Sequence, residues 1–152
     1  ANPTVTITGS TGSGAAATAT VALSGVKINN EADYLTNYVN GAGVVGPWAA
    51  KYPGALGNSL RVEMADAQTF SGWTYSSEFD AAPGTSATAA LAGATTANDE
   101  LHIVVVDVNG AWTGTRGAVL EKFAFVSKAC DAKKSDGSNN FYRDVINTNS
   151  KS

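Results

Sequence analysis

Cysteine, histidine and methionine each occur once in these 152 residues, and charged side chains make up only 15%, against roughly 25% in an average soluble domain. A single cysteine, Cys130, excludes an internal disulfide, so the fold does not depend on an oxidising compartment. With His102 the one histidine, the donors of an ordinary nitrogen and sulfur zinc site are missing as well. Ten basic against thirteen acidic residues leave a net charge of −3. No basic stripe of the kind that tracks nucleic acid is present, since the close pair Lys133 and Lys134 is flanked by Asp131 and Asp136. The longest aliphatic run, Ile103-Val104-Val105-Val106, falls far short of the ~20 residues of a membrane-spanning helix. No signal peptide is recognised, and the N-terminal alanine reads as that of a processed or excised chain.

What is present is a core. Hydrophobic residues reach 43%, too many for a disordered chain, and the length suits one domain. The start reads as β: Thr4-Val5-Thr6-Ile7-Thr8 alternates hydroxyl and aliphatic side chains, and Thr18-Ala19-Thr20-Val21-Ala22-Leu23 resumes the pattern. Val26-Lys27-Ile28 is a possible third piece. The Gly/Ser-rich stretch 9–14 between them lacks the Gly-Lys-Ser/Thr ending of a phosphate-binding loop and is read as a hairpin turn. A helix is expected from Asn30, with Glu31 and Asp33 in its first turn, an apolar stripe of Tyr34, Leu35, Tyr38 and Val39, and a stop at Gly41. Residues 46–54, bracketed by Pro47 and Pro53, read as one helical turn.

Residues 59–65 predict a strand with Leu60, Val62 and Met64 on its dry face and Arg61 and Glu63 on its wet one. Segment 70–79, with Trp73 and Tyr75, is a strand or an aromatic-rich loop. Segment 81–97 is nearly all Ala, Thr, Gly and Ser and is expected to be a mobile connection. The run 101–108 is the strongest element, with the β-branched density of a strand buried on both faces. After Asn109-Gly110 and a Gly-rich loop, residues 118–126 are ambiguous: Val119, Phe123 and Val126 suit a helix, a partner strand fits as well, and the strand is preferred. A last helix is expected over 140–146, capped by Ser138 or Asn139. The fold class is α/β, a mixed β-sheet flanked by short helices, with an N-terminal β-hairpin over residues 1–30.

Catalytic candidates are few. His102 has no Gly-x-Ser-x-Gly elbow to serve, so it reads as a packed core histidine. Cys130 has Lys128 nearby, which could activate a thiol, although an inert cysteine is the commoner outcome. Glu63, Asp66, Asp99, Glu100 and Asp107 could supply the carboxylate pair of a hydrolase, but their spacing singles out no pair. Residues 131–137 lack the alternating ligands and late glutamate of a calcium loop. Trp48, Trp73 and Trp112, with Tyr34, Tyr38 and Tyr75, could line a sugar-binding face, or simply fill a core. No catalytic, cofactor or metal residue is assigned, and the chain is read as a non-enzyme.

One set of motifs is recognisable. Asp99-Glu100-Leu101-His102-Ile103-Val104-Val105-Val106-Asp107, then Gly110, Thr113-Gly114-Thr115-x-Gly117-x-Val119-Leu120-Glu121-Lys122-Phe123, resembles the contractile tail sheath protein of T-even-type myoviruses. The likeness continues through Ser127-Lys128-Ala129, Asp131-Ala132-Lys133, Asp136-Gly137-Ser138-Asn139-Asn140-Phe141-Tyr142 and Asp144-Val145-Ile146-Asn147. Upstream, Ala50-Lys51-Tyr52-Pro53-Gly54 and Gly57-Asn58-Ser59-Leu60-Arg61-Val62 match a second signature. Residues 1–28 are more like a repetitive Thr/Gly/Ala insert of phage structural proteins.

The resemblance implies a structural virion protein without cofactor, and a partial sheath core over residues 31–152 with a subtilisin-like topology that lacks the triad. It also implies partners: other sheath subunits in stacked rings, the tail tube and the baseplate, with no nucleic acid and no membrane. Its place would be the phage tail, made in the host cytoplasm. Sheath proteins are several times longer and carry a tube-facing domain and strand-exchanging arms. Neither is seen here, so the isolated chain is expected to be monomeric. The rival reading is a carbohydrate-binding or adhesin module.

Overall fold

A computed structural model describes residues 4–10, 16–22, 28–38, 48–52 and 54–152. The chain divides into two compact units, Ala1–Trp48 and Ala49–Ser152. In the first, β1 (Thr4–Ser10) pairs antiparallel with β2 (Ala16–Ala22), in a register running from Thr4 opposite Ala22 to Ser10 opposite Ala16. These are the two strands the threonine alternation predicts. The suggested piece at 26–28 falls largely outside the described residues.

Helix α1 (Glu31–Asn37) starts where expected, with the Asn30 side chain accepting the Asp33 N–H at 2.9 Å. Asp33 in turn accepts from the Asn29 backbone and side chain and from the Asn37 side chain, each at 2.9 Å. Those bonds hold its carboxyl below the usual range, the Asn29 backbone N–H contributing most. The expected apolar stripe is not buried. No residue of α1 is buried and Leu35 is 52% exposed, so this short helix rests on its cap and polar side-chain bonds. Val39 and Gly41 lie outside the described residues.

The second unit is a three-stranded sheet in the order β3 (Leu60–Asp66), β4 (Glu100–Asp107), β5 (Ala118–Ser127). Both pairings are antiparallel, so the expectation of a mixed sheet is corrected, although the α/β character stands. β4 returns to β5 through residues 108–117, whereas β3 reaches β4 through residues 67–99, which hold two 3-10 turns and a short helix. A single parallel bridge, Ser127 to Phe141, lies outside the strands. Central β4 is buried from Leu101 to Asp107, as its aliphatic run predicts.

Burial on both faces needs two covers. On one face His102, Val104 and Val106 lie beside Arg61, Glu63 and Ala65 of β3. Segment 70–79 folds over this face as two 3-10 turns, Phe70–Gly72 and Ser76–Glu78. Phe79 stacks on His102 at 4.1 Å, and Trp73 stacks on Phe79 at 5.6 Å. On the other face, Ile103 pairs with Phe123, and α3 (Tyr142–Asn149) packs Val145 and Ile146 against β5. The predicted wet and dry faces of β3 are thereby altered: Ala65 is buried beside Arg61 and Glu63, while Met64 is 49% exposed. Neither face of β3 is uniformly dry: Leu60 and Val62 are half-buried on one, and Ala65 is buried on the other, beneath the aromatic segment.

Three local expectations also change. Residues 48–52 are not helical; the turn comes later, as a 3-10 helix at Ala55–Ser59. The small-residue connection contains α2 (Ala87–Leu91), capped by the buried Ser86, whose hydroxyl accepts the Ala89 N–H at 3.2 Å. Helix α3 starts two residues later than predicted because Asn140 is buried and committed elsewhere: its side chain donates to the Phe125 carbonyl at 2.9 Å and its N–H to Ala132.

Ile103 is fully buried and Met64 is not. Ile103→Ala is expected to cost about 2–5 kcal/mol, and Met64→Ala about 1 kcal/mol or less. Urea unfolding of the two variants checks this. Equal losses would mean that the sheet is not covered as described.

Candidate functional site

The densest polar constellation sits where β4 ends. Asp107 is fully buried, and its carboxylate gathers donors from two directions. The Ser59 hydroxyl, at the entrance to β3, donates to Oδ1 at 2.5 Å, and the Ala111 N–H donates to the same oxygen at 3.0 Å. Oδ2 accepts the Trp112 and Thr113 N–H groups at 2.9 Å and the Thr113 hydroxyl at 3.1 Å. Ser59 Oγ accepts the Asn109 N–H at 3.1 Å, which closes the loop on itself. Gly110 is required here: its φ is +78°, and a Cβ would come within 3.1 Å of the Arg116 nitrogen.

Burial alone would raise the Asp107 pKa. The hydrogen bonds from Ser59, Thr113 and Trp112 outweigh it and hold the carboxyl well below the usual carboxylate range. The loop's outer wall is Trp112, whose indole N–H donates to the Leu56 carbonyl at 3.0 Å and whose ring meets Tyr52 at 6.1 Å. This arrangement fixes a loop; every donor around the carboxylate comes from the chain itself. The sequence signature from Asp107 through Gly117 is therefore the wiring of one connection, a β4–β5 return tied to the start of β3.

A second such junction joins the other end of β4. Asp99 accepts the Ser127 hydroxyl on Oδ2 and the Ser86 N–H at 2.9 Å, while Glu100 accepts the Gly84 N–H at 3.0 Å. Asp99 is pushed up by burial and pulled down further by the Ser127 and Ser86 bonds, with a net lowering. Ser59, Thr113 and Ser127 fall within the sheath-like motifs of the sequence without a site role there, and nothing in the sequence points to Ser86. The signal for the first pair was an aspartate closing a buried strand just before Asn-Gly and a hydroxyl-rich turn.

The remaining candidates are placed apart. His102 is fully buried; its Nε2 donates to the Ala81 carbonyl at 2.9 Å and its Nδ1 accepts the Phe125 N–H at 3.0 Å. Both nitrogens thus serve backbone, and neither faces a serine or a carboxylate. The bond to Phe125 holds a bulge in β5 at which that residue takes a φ of +52°. Glu63 binds Arg61 at 2.8 Å and the Trp73 indole at 3.2 Å, and Asp66 caps its own turn through Thr69.

Cys130 is exposed, while Lys128 pairs with Asp66 at 3.6 Å. Asp136 accepts the Ser138 N–H and hydroxyl, closing a local turn at 136–138. Trp73 lies between Tyr75 and Phe79, so its ring is used in packing. Among the described residues, no group of three or more His, Cys, Asp or Glu side chains could hold a metal ion, and no helix is long and apolar enough to cross a membrane. Between β5 and α3 runs an open groove of about 500 Å³, floored by Phe123, Val126 and Val145 and edged by Lys134 and Lys151.

Comparison with known proteins gives one finding that bears on this arrangement. A stretch of 72 residues, 47% of the chain, is 35% identical to the tail sheath protein of Salmonella phage ViI. The chain is tail-sheath-like over that stretch. The match spans 9% of the sheath protein's length, so it speaks for a part of that molecule. No family model and no solved structure matches the chain.

Asp107 supplies a pH signature. A depressed carboxyl contributes stability that is present above its unfolded pKa, about 3.9, and is lost as pH falls toward the folded value. Asp107→Asn is expected to lower the urea midpoint clearly at pH 7, and the gap to the parent should narrow by about pH 3. Unfolding at both pH values tests this; a gap that stays constant would show that the carboxylate charge is not what the loop uses.

Proposed function

We propose that this chain forms part of the outer body of a contractile phage tail sheath subunit of the T-even, myovirus kind. In this reading residues 31–152 belong to the sheath core, whose topology in the family is subtilisin-like, and residues 1–30 are a β-rich addition. Its partners are neighbouring sheath subunits and, in the whole protein, the tail tube and baseplate. Contraction shortens the array and drives the tube through the host envelope.

The observation that carries the reading is the 35% identity to a tail sheath protein. The physical design agrees with it. A contracting array needs bodies that move as units between two packings. Here the loops at both ends of β4 are pinned by carboxylates bonded to their own chain, Asp107 fully buried and Asp99 half-buried, which suits a rigid block. Catalysis has no comparable support, because each candidate carboxylate and His102 is engaged by nearby backbone or side chains.

Stoichiometry separates this role from the adhesin alternative. In particles that carry this protein, quantitative mass spectrometry is expected to find it in the tail fraction at a copy number comparable with the repeating tube subunit. A few copies per particle, or glycan binding lost on Trp73→Ala, would replace the sheath reading with the adhesin one.

A further inference from the structure

The outer edge of β3 is built to accept a strand, and its sequence is complementary to itself. The Val108 N–H bonds the Ser59 carbonyl at 2.8 Å, which sets the phase of the β3–β4 ladder. Residues 61, 63 and 65 therefore bond β4, and the backbone groups of Leu60, Val62 and Met64 point outward. The Leu60 N–H turns back to Gly57. Among the described residues, no strand pairs with this edge. It is seven residues long and carries no proline, lysine or bulge, the usual devices that blunt an edge. By contrast, the opposite edge, on β5, is broken by two irregularities and by Phe125 in the left-handed region.

We propose that β3 pairs antiparallel with β3 of a second copy, about a two-fold axis through Val62, to give a continuous six-stranded sheet. The register follows from charge. With Val62 opposite Val62 of the second copy, Arg61 lies opposite the copy's Glu63, and Glu63 opposite its Arg61. Leu60 meets Met64 in the same pairing, which covers the half-exposed methionine. The outward backbone groups match as well: the Val62 N–H meets the Val62 carbonyl in both directions, and the Met64 N–H meets the Leu60 carbonyl. The two-fold one residue further on would set Glu63 against Glu63, and like charges directly opposite disfavour it. Arg61 and Glu63 already form a pair at 2.8 Å, Arg61 also donates to the Tyr75 hydroxyl at 3.1 Å and Glu63 accepts the Trp73 indole N–H, and with side chains 54% and 29% exposed both can still reach a four-charge cluster. This departs from the monomer expected from the sequence. It does not rest on the sheath reading, since a closed two-fold pair needs no ring or tube.

Charge exchange tests it on the whole chain. Sedimentation velocity from about 5 to about 500 μM is expected to show a dimer. Arg61→Glu alone, or Glu63→Arg alone, should weaken it by about tenfold or more. Mixing the two variants should restore it, because each then faces its opposite, and so should the double variant R61E/E63R. Amide exchange at Val62 and Met64 should slow as wild-type concentration rises, a readout that needs no variant. A monomer throughout the range, or a dimer indifferent to these exchanges, would overturn the proposal.

Discussion

A three-stranded sheet ordinarily shows one face to water; this one cannot, because its middle strand is apolar on both sides. Everything else in the second unit answers that constraint. One face is closed by α3, which brings only Val145 and Ile146 to bear. The other is closed by a segment with no strand or α-helix of its own, which works through flat rings: Phe79 on His102, then Trp73 on Phe79. An imidazole within a buried aromatic stack must still satisfy two nitrogens, and it does so with backbone on either side. The histidine is thus a cross-link between the aromatic cover and the bulge of β5. That explains why a residue so suggestive of catalysis carries none of its partners.

Much of this was legible in the residues. The aliphatic density of β4 announced burial on both faces and the strand at 60–66 followed from alternation, whereas 118–127, whose Val119, Phe123 and Val126 also suit a helix, is a strand because it pairs with β4. The covers were not legible. Period-two alternation in β3 assigned Met64 to the core, because within one strand nothing distinguishes the two faces. The cover over His102 and Ala65 comes from residues 70–79, which follow the turn at Asp66 and Thr69. Similarly, α2 was missed because alanine and threonine bury little area and give no stripe, while its cap, Ser86, is fixed by Asp99 from a distant part of the chain. The start of α3 moved because Asn140 has long-range partners that no local rule contains.

The same limit shaped the search for a site. In the sequence Asp99 and Asp107 stand with Glu63, Asp66 and Glu100 as possible members of a carboxylate pair, and their spacing distinguishes none of them. What distinguishes these two is their donors: hydroxyls of Ser59 and Ser127, reached across 48 and 28 residues, and runs of backbone N–H groups from the following turn. A carboxylate saturated in this way is a poor proton carrier and a good fastener. The glycine-punctuated stretch after β4 serves the same fastening, with Gly110 allowing the loop to come within reach of its aspartate.

This use of charge gives the low charged content a physical meaning. Asp33, Asp66, Asp99, Asp107, Glu121 and Asp136 all have lowered pKa values, and hydrogen bonds from nearby chain segments do the lowering. Glu121, for example, is raised by burial and lowered by more through bonds that include the Lys151 and Ser152 N–H groups, each at 2.8 Å. The described ion pairs, Arg61–Glu63, Lys122–Glu78 and Lys128–Asp66, all keep substantial exposure and contribute little individually. Negative charge is invested in holding turns still, and little is left for contacts between bodies. A unit wired in this way can meet a neighbour through backbone edges and neutral polar side chains without stranding a buried charge when the contact breaks. Where charges do lie beside an open edge, at Arg61 and Glu63, they alternate in sign, which turns a sticky strand into one with a preferred register.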